Sequence, residues 1–144
     1  MEKNVILTLV GLQVNEGMAP DVMELVTEGI YSKKGDSHYF TYQESDTSGL
    51  EGTTTTFKAT GDILTLIRDG AVNSQFIFQR GKKHMSHYDT NYGAFTVDIT
   101  ARNVEIDIGE HSGAIRVGYD VAINDGDRVF NDVIMEIRES AWKN

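Results

Sequence analysis

A strict alternation of apolar and polar residues over positions 114–124 constrains the fold of this chain more than any other feature. Successive side chains of a β-strand point to opposite faces of the sheet, whereas a helix would distribute both sets around its axis. The segment therefore predicts a strand with one buried face. The apolar face carries Ile115, Val117, Tyr119, Val121 and Ile123, and the other face carries Arg116, Gly118, Asp120 and Asn124.

Turn signals that contain glycine separate similar segments along the chain. They recur at intervals of about 8 to 12 residues, which is the spacing that a run of β-hairpins produces. The segments between them are rich in Val, Ile, Thr, Tyr and Phe, which are enriched in strands. The sequence therefore predicts an all-β fold of consecutive hairpins. The signals include Lys34-Gly35-Asp36, Thr60-Gly61-Asp62, Asp69-Gly70, Arg80-Gly81-Lys82, Tyr92-Gly93 and Asp125-Gly126.

The apolar positions change parity within residues 95–108. Phe95, Val97 and Ile99 occupy odd positions, whereas the apolar residues from Val104 onward occupy even ones. One extra residue near positions 101–103 would return both sets to a common face, and barrels use such bulges to curve. We therefore predict a β-bulge at this point.

Two turns allow strand registers to be predicted. A two-residue turn at positions 69–70 would place Ile63 opposite Phe76 and collect the apolar residues of both strands on one side. A turn at positions 81–82 would then place His87 opposite Phe76. The same register would direct the side chains of His84 and Tyr88 outward. These registers determine which side chains are expected to face the barrel interior.

The turn near positions 125–126 is predicted to be longer than two residues. A two-residue turn at positions 125–126 would set Asp132 and Glu136 against an apolar face, so a three-residue loop is favoured. The expected inward partners on the final strand are Val129, Val133, Met135 and Ile137.

Composition bounds the class of protein. A chain of 144 residues is the size of one domain, residues 1–144, and no apolar run approaches the roughly 18 residues of a membrane-spanning helix. A formal net charge of −9 without a basic cluster argues against nucleic acid as a partner. No cysteine is present, and the apolar start lacks a signal-peptide cleavage pattern. We therefore expect a soluble cytoplasmic protein with no membrane association and no cofactor.

Six short motifs, taken in order, resemble the YwiB-like family of uncharacterised bacterial proteins. Each is a turn with its flanking strand, and together they extend nearly from end to end of the chain. That family is similar to the calycins, so the resemblance implies a closed antiparallel up-and-down barrel, lipocalin-like, of about eight to ten strands. It implies no ligand, reaction or catalytic residue. The motifs are residues 25–29, 39–44, 50–53, 67–70, 90–93 and 113–119.

Residues 20–31 carry the most ambiguous pattern. Pro20 could open a helix that Gly29 closes, with apolar residues at helical spacing between them. The resemblance favours a strand instead, preceded by a short or irregular element around residues 15–19. We therefore predict a strand for residues 20–31.

The lumen of such a barrel is the one feature of the predicted fold that suggests a function. A barrel of about eight strands can be filled by side chains or can hold one small ligand. On the predicted registers four polar residues face the lumen, and an arginine among them could bind a ligand carboxylate through two hydrogen bonds. The alternative places that arginine at the rim, where it reaches water. The four candidate ligand-binding residues are Thr65, Ser74, Arg80 and His87.

No pattern in the sequence supports catalysis or metal binding. His84, His87 and Asp89 lie close in sequence, but positions 84 and 87 differ by an odd number and face opposite sides of a strand. We therefore predict no metal site. No nucleophile-elbow or phosphate-loop motif occurs either.

Three hypotheses of function remain at this point. The leading one is a small-molecule-binding barrel whose lumen accepts a small apolar or amphipathic ligand. The second is an interaction or scaffolding module that acts through its surface or as a homodimer, because residues 5–10 and 76–78 are apolar on both faces. The third is an enzyme whose site no motif reveals.

Overall fold

The chain forms a β-barrel of ten strands. A computed structural model describes residues 2–14, 19–46, 50–90, 92–123 and 126–140. None of these residues forms a helix long and apolar enough to cross a membrane. The strands are β1 Glu2–Val14, β2 Asp21–Lys34, β3 Ser37–Gln43, β4 Thr53–Thr60, β5 Ile63–Gly70, β6 Asn73–Phe78, β7 Lys83–Thr90, β8 Gly93–Ile108, β9 Ser112–Ile123 and β10 Arg128–Glu139.

Each strand pairs antiparallel with its neighbours in sequence, and β1 pairs with β10 to close the barrel. This confirms the closed antiparallel barrel and reaches the upper end of the predicted strand number. Residues 21–31 lie in β2, which begins directly after Pro20, so the strand prediction is confirmed and the helical alternative is wrong. The irregular element expected around residues 15–19 lies, apart from Ala19, outside the described residues.

The core occupies the barrel interior, where alternate residues of the strands meet. On β1, Val5, Leu7 and Leu9 are buried while the residues between them are only half-buried. Closing the barrel hides one face of every strand from water, which is the main favourable contribution to folding. The fully buried large side chains include Phe40, Phe78, Leu7, Leu64, Ile99, Ile115 and Met135.

The predicted bulge lies in β8 at Arg102. Ala101 pairs with Tyr119 and Asn103 pairs with Gly118, so Arg102 is the extra residue. Its exposed side chain lies on the barrel exterior, where its guanidinium is 4.3 Å from the centre of the Phe130 ring. The bulge keeps the apolar residues on both sides of it directed toward the core.

The predicted partners of the last hairpin are also confirmed. Val117 pairs with Val133 and Ile115 pairs with Met135, so the apolar faces of β9 and β10 coincide. The loop itself includes positions 124 and 125, which lie outside the described residues.

The predicted register between β5 and β6 is wrong. Phe76 pairs with Leu66 and not with Ile63, because the chain turns after Gly70 and not at positions 69–70. Gly70 has φ 137°, and a Cβ there would lie 2.2 Å from the Gly52 carbonyl oxygen. The Asn73 side chain then closes the turn by hydrogen bonds to the Gly70 amide and carbonyl at 3.1 and 3.0 Å. Ile63 therefore faces outward.

The predicted register between β6 and β7 is wrong by one residue. Ser74 pairs with Tyr88, a register on which His87 cannot lie opposite Phe76. A shift of one residue turns every side chain of a strand to the other face. His84 and Tyr88 are accordingly half-buried, whereas Met85 is 70% exposed.

Candidate functional site

Only one of the four predicted ligand-binding residues lies inside the barrel. Ser74 is buried, whereas Arg80 and His87 are exposed and Thr65 lies on the outer face between the buried Leu64 and Leu66. The inward orientation predicted for Thr65, Arg80 and His87 is therefore wrong, because the turns set different registers. Arg80 lies at the rim beside its turn, as the alternative interpretation expected.

A row of polar side chains crosses five adjacent strands on the inner wall, and we call it the polar belt. Each member pairs with the next across the sheet, from β3 to β7. Adjacent residues of paired strands share a face. The belt therefore forms one continuous polar surface inside the barrel. Its members are Tyr42, Thr55, Arg68, Ser74 and Tyr88.

Strand alternation directs the belt inward. Four members lie two residues from a core side chain, as Arg68 does from Leu66 and Tyr42 does from Phe40. Tyr88 is half-buried and itself packs against the core. The sequence contained this signal for Arg68, because it shares parity with Leu64 and Leu66. Ile63 and Ile67 made the other face of β5 equally apolar, so alternation alone did not identify the inner face.

Glu44 extends the belt just beyond the end of β3. Its backbone amide donates to the Thr53 carbonyl at 2.9 Å, which continues the β3–β4 pairing. Its side chain is only 8% exposed, and Oε2 accepts a hydrogen bond of 2.5 Å from the Thr55 hydroxyl. The other carboxylate oxygen, Oε1, is buried without a hydrogen-bond partner. The carboxylate is therefore oriented by the barrel with one acceptor unused.

The two tyrosines of this region are held in their protonated form. Burial, followed by the negative charge of Glu44, raises the pKa of Tyr42 well above its ordinary value. Burial likewise raises the pKa of Tyr119, while the positive charge of Arg68 opposes that shift. Both hydroxyls therefore remain neutral at physiological pH and can donate hydrogen bonds.

A cavity of about 220 Å³ lies against the belt at one end of the barrel. Tyr42, Glu44, Arg68 and Tyr119 supply its polar lining. Gly11 also lines it, and a Cβ at that position would meet no atom within 4 Å. The cavity thus combines an apolar wall with one cation and one anion. The apolar lining is Leu9, Met23, Leu25, Leu50, Phe57, Leu66, Phe78, Val117 and Val133.

A much smaller cavity, of about 30 Å³, lies at the opposite end of the barrel among Val5, Tyr31, Phe40 and Ile137. Two larger cavities, of about 370 and 360 Å³, are lined by residues of β1, β2 and β3 and by residues of β1, β9 and β10. Of these four cavities, the one beside the belt alone combines an apolar lining with Arg68 and Glu44. It is therefore the candidate functional site.

Metal ligands do not converge in the described part of the chain. No group of three or more His, Asp or Glu side chains lies close enough there to hold an ion. His84 is half-buried and His87 is exposed on the opposite face of β7.

Comparisons with known proteins identify relatives but no activity. A family model described as "Domain of unknown function (DUF1934)" matches residues 7–137. The uncharacterized β-barrel protein YwiB of Bacillus subtilis is 27% identical over 105 residues, covering 73% of this chain and 72% of YwiB. The crystal structure of the ywiB protein from Bacillus subtilis matches with a TM-score of 0.87 and 21% identity, covering 97% of this chain and 94% of that chain.

Proposed function

Because the chain belongs to the DUF1934 family of unknown function, we propose its function from the cavity geometry: the barrel binds a small amphipathic molecule in its lumen. The predicted resemblance to YwiB-like proteins is confirmed. The matched proteins carry no named ligand or reaction, so the proposal depends on the cavity beside the polar belt.

One observation carries the proposal. Three polar side-chain atoms of the belt region are buried without a hydrogen-bond partner: Glu44 Oε1, Arg68 Nε and Ser74 Oγ. An unsatisfied buried polar group costs about 1–3 kcal/mol, and more when it is charged. Such groups are uncommon in folded proteins, and two of these three belong to Glu44 and Arg68, which line the cavity. Two unpartnered groups beside one cavity support a ligand that supplies the missing partners.

The ligand is small. A cavity of 150 Å³ is known to accept benzene, so one of about 220 Å³ suits roughly 8 to 12 non-hydrogen atoms. Lipocalin-like proteins also bind small ligands inside a closed barrel. The proposal therefore includes a relationship to the calycins and a role as a cytoplasmic carrier.

Native mass spectrometry of the freshly purified full chain tests the proposal. We expect a species heavier than the chain mass by one small molecule, which dissociates at higher collision energy. A chain that is always empty, and that shows no binding of toluene by NMR, would contradict lumen binding.

Filling the cavity provides a variant for the same test. Gly11→Leu adds a side chain where the Cβ meets nothing, so we expect unchanged or increased stability together with loss of the retained molecule. Ala94→Leu adds a leucine of nearly the same added bulk at an exposed position and should keep that molecule. Retention of the molecule by Gly11→Leu would exclude this cavity as the site.

The homodimer hypothesis stays a prediction with one specific observation in its favour. Val22 and Val26 on the outer face of β2 are each 65% exposed. They pair with Leu12 and Thr8 of β1, and Val10 of β1 pairs with Ile134 of β10. Apolar side chains therefore lie on the outer faces of three strands, with Glu24, Asp132 and Glu136 between them. We expect a second copy of this chain to cover them.

A further inference from the structure

We propose that the molecule bound in the lumen carries a carboxylate, recognised by Arg68, and a hydrogen-bond donor, recognised by Glu44. This inference rests on the proposed lumen binding and specifies its chemistry. It follows from the difference between Arg68 and two other arginines of the same barrel.

Arg102 and Arg116 show what an arginine of this chain does when a carboxylate is available. Arg102 donates from Nε and Nη2 to both oxygens of Asp120 at 2.8 Å each. Arg116 donates from the same two nitrogens to the oxygens of Asp132 at 3.3 and 2.9 Å. Both pairs lie on the barrel exterior, and in both the guanidinium binds the planar carboxylate in a bidentate geometry.

Arg68 has the same donors and no carboxylate between them. Its Nε is buried without a partner, and it forms no ion pair with any residue that the structure describes. A guanidinium stays charged at any physiological pH, so burial cannot relieve this cost by deprotonation. Because Arg68 lines the cavity, a ligand carboxylate there would occupy the place that Asp120 and Asp132 occupy outside.

Glu44 specifies the second group of the ligand. Thr55 fixes one oxygen of the carboxylate, and the other, Oε1, is buried beside the cavity without a partner. A carboxylate oxygen accepts hydrogen bonds only, so the ligand must bring a donor such as a hydroxyl or an amine. The negative charge of Glu44 also disfavours a second anionic group on the ligand.

The cavity wall limits what joins these two groups. Leu25, Phe57 and Phe78 contribute apolar surface beside the polar end. A body of one ring or a short branched chain would cover that surface and fit within about 220 Å³. The chemical class is therefore a small hydroxy- or amino-substituted carboxylic acid with an apolar body.

A probe series separates the contributions of the two charged residues. Isothermal titration calorimetry on the full chain compares 4-hydroxybenzoate, benzoate and toluene. We expect 4-hydroxybenzoate to bind best and toluene worst. Arg68→Met should weaken both benzoates by about 10- to 100-fold, which is the range for hydrogen bonds to charged groups, and should leave toluene binding unchanged or improved.

Glu44→Gln tests the donor separately. The amide keeps the shape but replaces the unused acceptor by a donor, so 4-hydroxybenzoate should lose its advantage over benzoate. The NMR chemical shift of the Arg68 Nε–H group can be measured in the parent chain, so this test needs no variant. The chemical shift should change when benzoate is added but not when toluene is added.

The outcomes distinguish this inference from the proposed function. Binding of toluene in the parent chain with no preference for the benzoates, or unchanged benzoate binding in Arg68→Met, would overturn the carboxylate assignment and leave lumen binding standing. Absence of binding for all three probes, with a chain that is empty in native mass spectrometry, would overturn both.

Discussion

At the scale of single residues, Arg68 differs from the two arginines of this barrel that form ion pairs. Arg102 and Arg116 lie outside and pair with aspartates, whereas Arg68 lies inside with a buried and unpartnered Nε. An unpaired buried charge lowers stability, and proteins often accept such a cost where a group serves binding. We therefore expect Arg68 to lower the stability of the empty barrel and to contribute to ligand binding.

If Arg68 lowers the stability of the empty barrel, replacing it should raise the free energy of unfolding. Arg68→Met replaces a half-buried guanidinium, whose Nε is buried without a partner, by an apolar side chain of similar length, so the free energy of unfolding should rise by about 1 kcal/mol. Urea denaturation of the ligand-free chain measures it, with Arg116→Met as the exposed control that should change little. A large loss of stability in Arg68→Met would instead assign Arg68 a structural role.

At the scale of elements, the bulge in β8 and the turn after β5 determine which side chains enter the lumen. The bulge was predictable, because the parity of apolar residues changes on either side of residues 101–103. The turn after Gly70 was not, because Asp69-Gly70 is itself a strong turn signal and the actual turn depends on contacts with Gly52 and Asn73. Two local errors of this kind, at positions 69–70 and at positions 81–82, reversed the faces assigned to β5 and to β7 respectively.

Deletion of single residues tests the bulge. Removing Arg102 leaves Ala101 and Asn103 in one uninterrupted register, so the same apolar side chains still face inward. Thermal unfolding should remain cooperative, within about 10 °C of the parent chain. Removing Arg116 from the regular strand β9 reverses the faces of all residues on one side of it, and that chain should fail to fold. Equal damage from the two deletions would contradict the bulge assignment.

At the scale of the whole molecule, closing the barrel leaves apolar side chains exposed or half-buried on the outer faces of β2, β1 and β10. The homodimer hypothesis predicts that light scattering gives a dimer mass for the parent chain. Val26→Lys should shift the mass to that of a monomer, whereas Met85→Lys, on a distant strand and 70% exposed, should not. A monomer at all concentrations would end the hypothesis.

The candidate site was only partly predictable. Ser74 was assigned to the interior from the sequence, but Tyr42, Glu44 and Arg68 were not. They lie on two segments, the end of β3 and β5, which come together only through their pairing with β4. Their partners and the absence of a partner at Arg68 Nε are properties of the interior and not of any one strand.

The sequence by itself determined an all-β fold of consecutive antiparallel hairpins, because glycine turns and strand-forming residues are local signals. Closure of these hairpins into a barrel was implied by the resemblance to the YwiB-like family and not by the alternation. The tertiary structure alone decided which polar residues face the lumen. That outcome depends on register, and register is set by contacts between residues distant in sequence, such as Gly52 with Gly70 and Glu44 with Thr55.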